Sequence, residues 1–190
     1  MGFDGLRCIT NTDHKHGPCR AWFDEEEVYR YALSFEFAGN SFSTSWLTAI
    51  LLNPSTANAF LLDPTATKIC TVAIRAGYRG LTIVNCFALR STDPHALLHA
   101  PDPVGPDNDA VIAQALHIAS WMPRTVGHVD AFAGWGNHGK IMNRDKIVKR
   151  ILARSGRDVY TYRRNLNGTP MHPLYVSYET KWQKWELTNS

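Results

Sequence analysis

The sequence predicts an α/β fold, a three-layer sandwich around a mostly parallel central sheet. Short apolar runs at 47–52, 81–90, 126–133 and 158–162 alternate with helical patterns at 64–76, 107–120 and 140–153. That alternation is what strand–helix–strand crossovers require. Polar residues gather where several of the apolar runs end, the edge at which open α/β sheets bind ligands.

Residues 1–27 read as an irregular, polar leader, and 28–190 as a single α/β domain. The leader brings Cys8, His14, His16 and Cys19 together, but their spacing fits no common zinc pattern, and no metal is expected. Tyr29, Tyr31, Leu33, Phe35 and Phe37 alternate as on a half-buried antiparallel strand. Gly39-Asn40-Ser41 turns the chain into Leu47–Leu52, a buried strand stopped at Asn53-Pro54, where Pro removes a donor and restricts the residue before it. Asn53, Ser55, Thr56 and Asn58 emerge there together.

Asp63-Pro64 reads as an N-cap followed by proline at the first helical position. Ile69, Val72, Ala73 and Ala76 form the inward stripe, and Gly77 the C-cap. The run from Leu81 is apolar on both faces, as a parallel strand is, and enters Arg90-Ser91-Thr92-Asp93. A proline-rich loop precedes a helix begun at Asp107-Asn108-Asp109 and continued to about Ser120, with Ala119 facing inward. Val126–Ala133 ends at Gly134-Trp135-Gly136-Asn137-His138. A basic helix follows, with Lys140, Arg144, Lys146, Lys149, Arg150 and Arg154 among its exposed positions. Asp158–Tyr162 is the last expected strand, and Met171-His172-Pro173-Leu174 follows a turn at Gly168.

Bulk properties bound the function without naming it. A hydrophobic share of 44% and a charged share of 19% suit a globular chain. The net charge of +3 permits nucleic-acid contact without requiring it. Cys70 and Cys86 fall in apolar elements as buried thiols, no run is long enough to span a membrane, and no signal pattern opens the chain. A cytoplasmic location is the expectation. Phosphate-loop, dinucleotide-fold, hydrolase-elbow and zinc-deaminase motifs are absent from the sequence.

Each candidate residue has a functional and a plain reading. Asn53 orients a water, holds a base edge, or caps its own turn. Arg90 clamps an anion or pairs with Asp93. Trp135 stacks on a base or packs beneath its loop. His138 is a ligand contact or a solvated loop residue, and His172 is aimed by the rigid Pro173 after it.

Leu52-Asn53-Pro54-Ser55-Thr56-Ala57, Asp63-Pro64-Thr65 and Gly77-Tyr78-x-Gly80-Leu81 resemble motifs of the bacterial and phage DUF1643 family. The resemblance runs on through Val84-Asn85-x-Phe87-Ala88-x-Arg90-Ser91-Thr92-Asp93-Pro94, Asp102–Asp109, Gly134-Trp135-Gly136 and His172-Pro173-Leu174-Tyr175, over roughly residues 28–176. A more distant resemblance is to the uracil-DNA glycosylase superfamily, whose members carry Asn-Pro or Asp-Pro after the first core strand and a late His-Pro. It implies a uracil-DNA-glycosylase-like fold and cleavage of a nucleobase N-glycosidic bond. Asn53 would then position the water, His172 donate to the base, and Pro54, Ser55, Thr56 and Asn85 line the base site. Trp135 or Phe60 would stack, and Arg90 with the basic helix would meet phosphate.

The departures are the lack of a carboxylate at Asn53, of a serine-rich continuation after His172-Pro173, and of an iron–sulfur cysteine quartet. No cofactor is expected. Two alternatives stay open: a non-catalytic nucleotide or nucleic-acid binding module, and an enzyme acting on a free nucleoside or nucleotide. In the latter Arg90 and Lys140 hold a phosphate and Asp63 or Asp93 is the general acid or base. The expected partner is a nucleobase-containing ligand, DNA and RNA included.

Overall fold

A computed structural model describes residues 2–117 and 122–187. Its strands are β1 (Arg7–Asn11), β2 (Cys19–Phe23), β3 (Arg30–Glu36), β4 (Ser45–Leu51), β5 (Gly80–Asn85), β6 (His128–Ala133), β7 (Val159–Thr161) and β8 (Gln183–Lys184). The helices among the described residues are α1 (Pro64–Arg75), α2 (Asn108–Ala115) and α3 (Arg144–Ser155). The expected end of the second helix near Ser120, with Ala119, lies outside the described residues.

All eight strands form one sheet in the order β1-β2-β3-β5-β4-β6-β7-β8. It is mixed, which corrects the expectation of a mostly parallel sheet. Only the central strands β5, β4, β6 and β7 run parallel, while β1, β2 and β3 on one side and β8 on the other pair antiparallel. The reason lies in the connections. Short links without a helix, such as those joining β1 to β2 and β2 to β3, suit antiparallel neighbours, whereas parallel neighbours need a crossover.

The same strands correct the reading of residues 1–27 as irregular. Cys19, Ala21, Trp22 and Phe23 on β2 are buried against β3. Cys19 points into the core, and burial pushes its thiol up to about 12, whereas Cys8 is exposed. Being inside the sheet, β3 is buried on both faces rather than half-buried. Among the described residues no group of three or more His, Cys, Asp or Glu is placed to hold a metal ion, and no helix is long and apolar enough to cross a membrane.

Alternation along β4 divides the core. Leu47, Ala49 and Leu51 pack with Ile69, Cys70 and Ala73 of α1. Trp46 and Ile50 pack with Val111 and Ile112 of α2 and Val148 and Leu152 of α3. Because successive strand side chains point to opposite faces, α1 covers one face and α2 with α3 the other. Helix α1 begins as expected: Asp63 accepts a hydrogen bond from Ala66 N at 2.8 Å, with Pro64 following it. The C-cap is Ala76, and Gly77 takes the left-handed conformation just beyond, at φ +81°.

The basic helix starts later than its sequence suggests. Met142 and Asn143 adopt left-handed backbone at φ 52° and 55°, breaking a 3-10 turn at Asn137–Asn143 from α3. Arg144, expected to be exposed, is 2% exposed. Its Nε donates to Cys86 O at 2.8 Å, and its Nη2 pairs with Asp109. Replacing Arg144 with Met should destabilise the fold by about 1–3 kcal/mol, because the Cys86 carbonyl loses a buried donor while the half-exposed Asp109 can rehydrate. The denaturant midpoint checks this.

Candidate functional site

The parallel strands β4, β5 and β6 end on one edge, and the chain segments leaving them enclose a cavity of about 780 Å³. Asn53, Ser55 and Thr56 arrive from β4, Asn85 from β5, and Trp135 to His138 from β6. Asp63 to Ala66 enter with the first turn of α1, Ser91 and Thr92 with the loop after β5, and His172 with the segment after β7. That last segment is tied back to the edge by Gly136 N donating to Pro170 O at 2.9 Å. Gly136 has φ +72°, and a Cβ there would sit 3.1 Å from the Cβ of His172, so glycine permits both the turn and the close approach.

Asn53 is fixed by its own amide. Nδ2 donates to Pro54 O at 3.2 Å and to Ser91 O at 2.8 Å. Two carbonyl acceptors identify that atom as the NH2 group, leaving Oδ1 without a hydrogen bond among the described residues. Asp63 accepts from Ser55 Oγ at 2.7 Å and from Ala66 N. It is the only carboxylate lining the cavity among the described residues. Asn85, only 1% exposed, has an Nδ2 with no acceptor. Asn108 holds the end of β5 by donating to the carbonyls of Asn85 and Cys86, both at 3.0 Å.

His172 accepts from Leu174 N on Nδ1 at 3.3 Å. A neutral ring held this way carries its proton on Nε2. Burial lowers its pKa to about 4, outweighing the pull of Asp63, while His138 and Lys68 push the same way as burial. The ring is therefore a neutral donor at physiological pH. The unfolded chain binds more protons at this position than the folded one between about pH 4 and 6.5, so stability falls as pH falls through that window. The depression corresponds to ~3 kcal/mol by linkage. His14 and His16 are also lowered by burial. His172→Asn should therefore flatten, without abolishing, the loss of denaturation free energy between pH 6.5 and 4.

Of the candidate residues, Asn53, Ser55, Thr56, Asp63, Asn85, Trp135, His138 and His172 line this cavity. Four do not. Pro54 is buried behind the turn. Arg90 turns away, with Nη1 donating to Glu27 O at 2.9 Å and the guanidinium lying over Phe23. Asp93 caps the next 3-10 turn by accepting from His95 N. Phe60 is 65% exposed outside the cavity. Trp135 offers no accessible ring face: it is fully buried against Trp185 and the α-carbon of Gly139, and so supports the cavity wall rather than stacking on a ligand.

A model of the protein family of unknown function DUF1643 matches residues 30–174. The chain belongs to that family. No curated protein and no solved structure matches it. Within the family region lies a cavity residue the sequence reading passed over. Arg30, the first residue of β3, is 2% exposed, and its Nη1 donates to Ala57 O at 2.6 Å. The only signal for it was a cation between Tyr29 and Tyr31 at the start of the strand.

Proposed function

We propose that the cavity binds a nucleobase and hydrolyses its N-glycosidic bond. What carries this reading is the neutral His172, held with its Nε2–H free, in one cavity with the open acceptor Asn53 Oδ1 and the open donor Asn85 Nδ2. A base edge presents such donors and acceptors in planar array, and a cavity of about 780 Å³ has room for a base with its sugar. The Asn-Pro turn after β4 and the late His-Pro also resemble the two motifs that uracil-DNA-glycosylase-like proteins carry.

In the proposed reaction a water held by Asn53 Oδ1 adds to C1′ as the C1′–N bond breaks. The electron pair of that bond leaves on the base, and His172 Nε2–H stabilises the charge developing on a base oxygen. The water's proton passes to Asp63 or solvent and ends on the departing base. The buried, free thiols Cys70 and Cys86 fit a reducing, cytoplasmic setting.

A second reading, ligand binding without chemistry, is favoured by the state of Asp63, whose two oxygens already accept from Ser55 and Ala66. Chromatographic detection of free base separates the two. Wild-type protein is incubated with nucleosides, 5′-monophosphates and single- and double-stranded oligonucleotides, with binding titrated alongside. Release of a base supports hydrolysis, saturable binding without release supports the binding module, and neither result on any substrate removes both.

A further inference from the structure

Arg30 is a buried cation that the glycosidic reaction leaves unused. Nη1 is committed to Ala57 O, while Nε is buried with no partner and Nη2 has no acceptor among the described residues. Those two N–H groups lie side by side along one edge of the planar guanidinium, the pair that grips two oxygens of a phosphate or carboxylate. No carboxylate among the described residues occupies that edge. Asp63 acts on Arg30 through its charge but forms no ion pair with it, since its oxygens face Ser55 and Ala66.

A second buried donor, Asn85 Nδ2, lies unpartnered in the same cavity. The first turn of the twelve-residue α1, Pro64–Ala66, lines it as well, with its N-terminal end already capped by Asp63. Burial lowers the Arg30 pKa to about 10, which leaves the group charged at neutral pH.

Resting on the nucleobase reading of the cavity, we propose that the Nε–Nη2 edge of Arg30 holds the terminal phosphate of a free nucleotide. The depth of Arg30 favours a terminal phosphate over a phosphodiester. A backbone phosphate must let the polymer leave on both sides, and Arg30, only 2% exposed as a residue, gives no such passage. A terminal phosphate needs one ester bond only.

The test is calorimetric titration of the full chain with matched nucleosides and 5′-monophosphates, with inorganic phosphate, and with single-stranded oligonucleotides. Wild type should bind at least one monophosphate about tenfold or more tighter than its nucleoside, since a charge-assisted pair contributes on that scale. Arg30→Gln should erase this preference while nucleoside affinity stays within about threefold, and Arg30→Lys should keep part of it. Should Arg30→Gln fold poorly through loss of the Ala57 contact, competition by inorganic phosphate against nucleotide on wild type reads the same subsite.

Equal affinity for nucleoside and monophosphate, a preference that survives Arg30→Gln, or an equal gain with oligonucleotides would overturn the proposal. Failure of the base reading looks different: inorganic phosphate would bind in an Arg30-dependent way while no nucleoside bound.

Discussion

His172→Ala should slow base release by about 10²–10³-fold, and Asn53→Ala by a similar factor, with each variant still folded. The two losses have different causes. Removing His172 takes away the Nε2–H that meets charge on the leaving base, a contact that strengthens only as the bond breaks. The loss should therefore fall on kcat rather than KM. Removing Asn53 takes away the acceptor that holds the water and also frees the Pro54 and Ser91 carbonyls that its amide bridges. Part of its effect should accordingly appear as a looser ligand site and a raised KM. Single-turnover rates set against equilibrium binding separate these contributions. A His172→Ala variant with wild-type kcat would show that the imidazole does not take part.

Trp46→Ala should destabilise the protein by about 3–5 kcal/mol, read as a lowered denaturant midpoint. Trp46 is fully buried on β4 and donates from Nε1 to Thr82 Oγ1 at 3.0 Å on the neighbouring strand. Its ring lies over Gly80, where an added Cβ would come within 2.3 Å of Trp46 and 2.5 Å of Phe35 O. Gly80→Ala should therefore destabilise as well. In a double-mutant cycle, Trp46→Ala should relieve part of that penalty, because one of the two clashes disappears with the ring.

What the sequence made legible follows locality. The Asn53-Pro54 stop and the Asp63-Pro64 helix start depend on a residue and its immediate neighbours, so residue chemistry placed them well. Asn85, Trp135 and His172 reach the same cavity because the central strands are parallel, a property that the alternation of strands and helices conveyed. Arg30 was not legible because its burial is tertiary. It becomes a cavity residue only when the 53–58 loop supplies the Ala57 carbonyl and β2 joins the sheet beside it.

The misreading of Arg90 has the same root. Its partner Glu27 lies in the segment read as a loose leader, which in fact turns back at Glu27, φ 56°, to meet it. Trp135 shows a further limit: an aromatic residue between glycines looks like a binding platform, yet Gly139 lets the chain close over its ring.

The most direct single measurement is nitrogen NMR of the His172 imidazole at neutral pH, assigned by difference from His172→Asn, with and without a saturating nucleoside or nucleotide. The expected result is a neutral ring protonated at Nε2 alone, staying neutral down to about pH 4 to 5, with the Nε2–H resonance moving when ligand binds. A ring protonated on both nitrogens at neutral pH, or one whose Nε2–H is indifferent to every nucleobase ligand, would contradict the role given to His172.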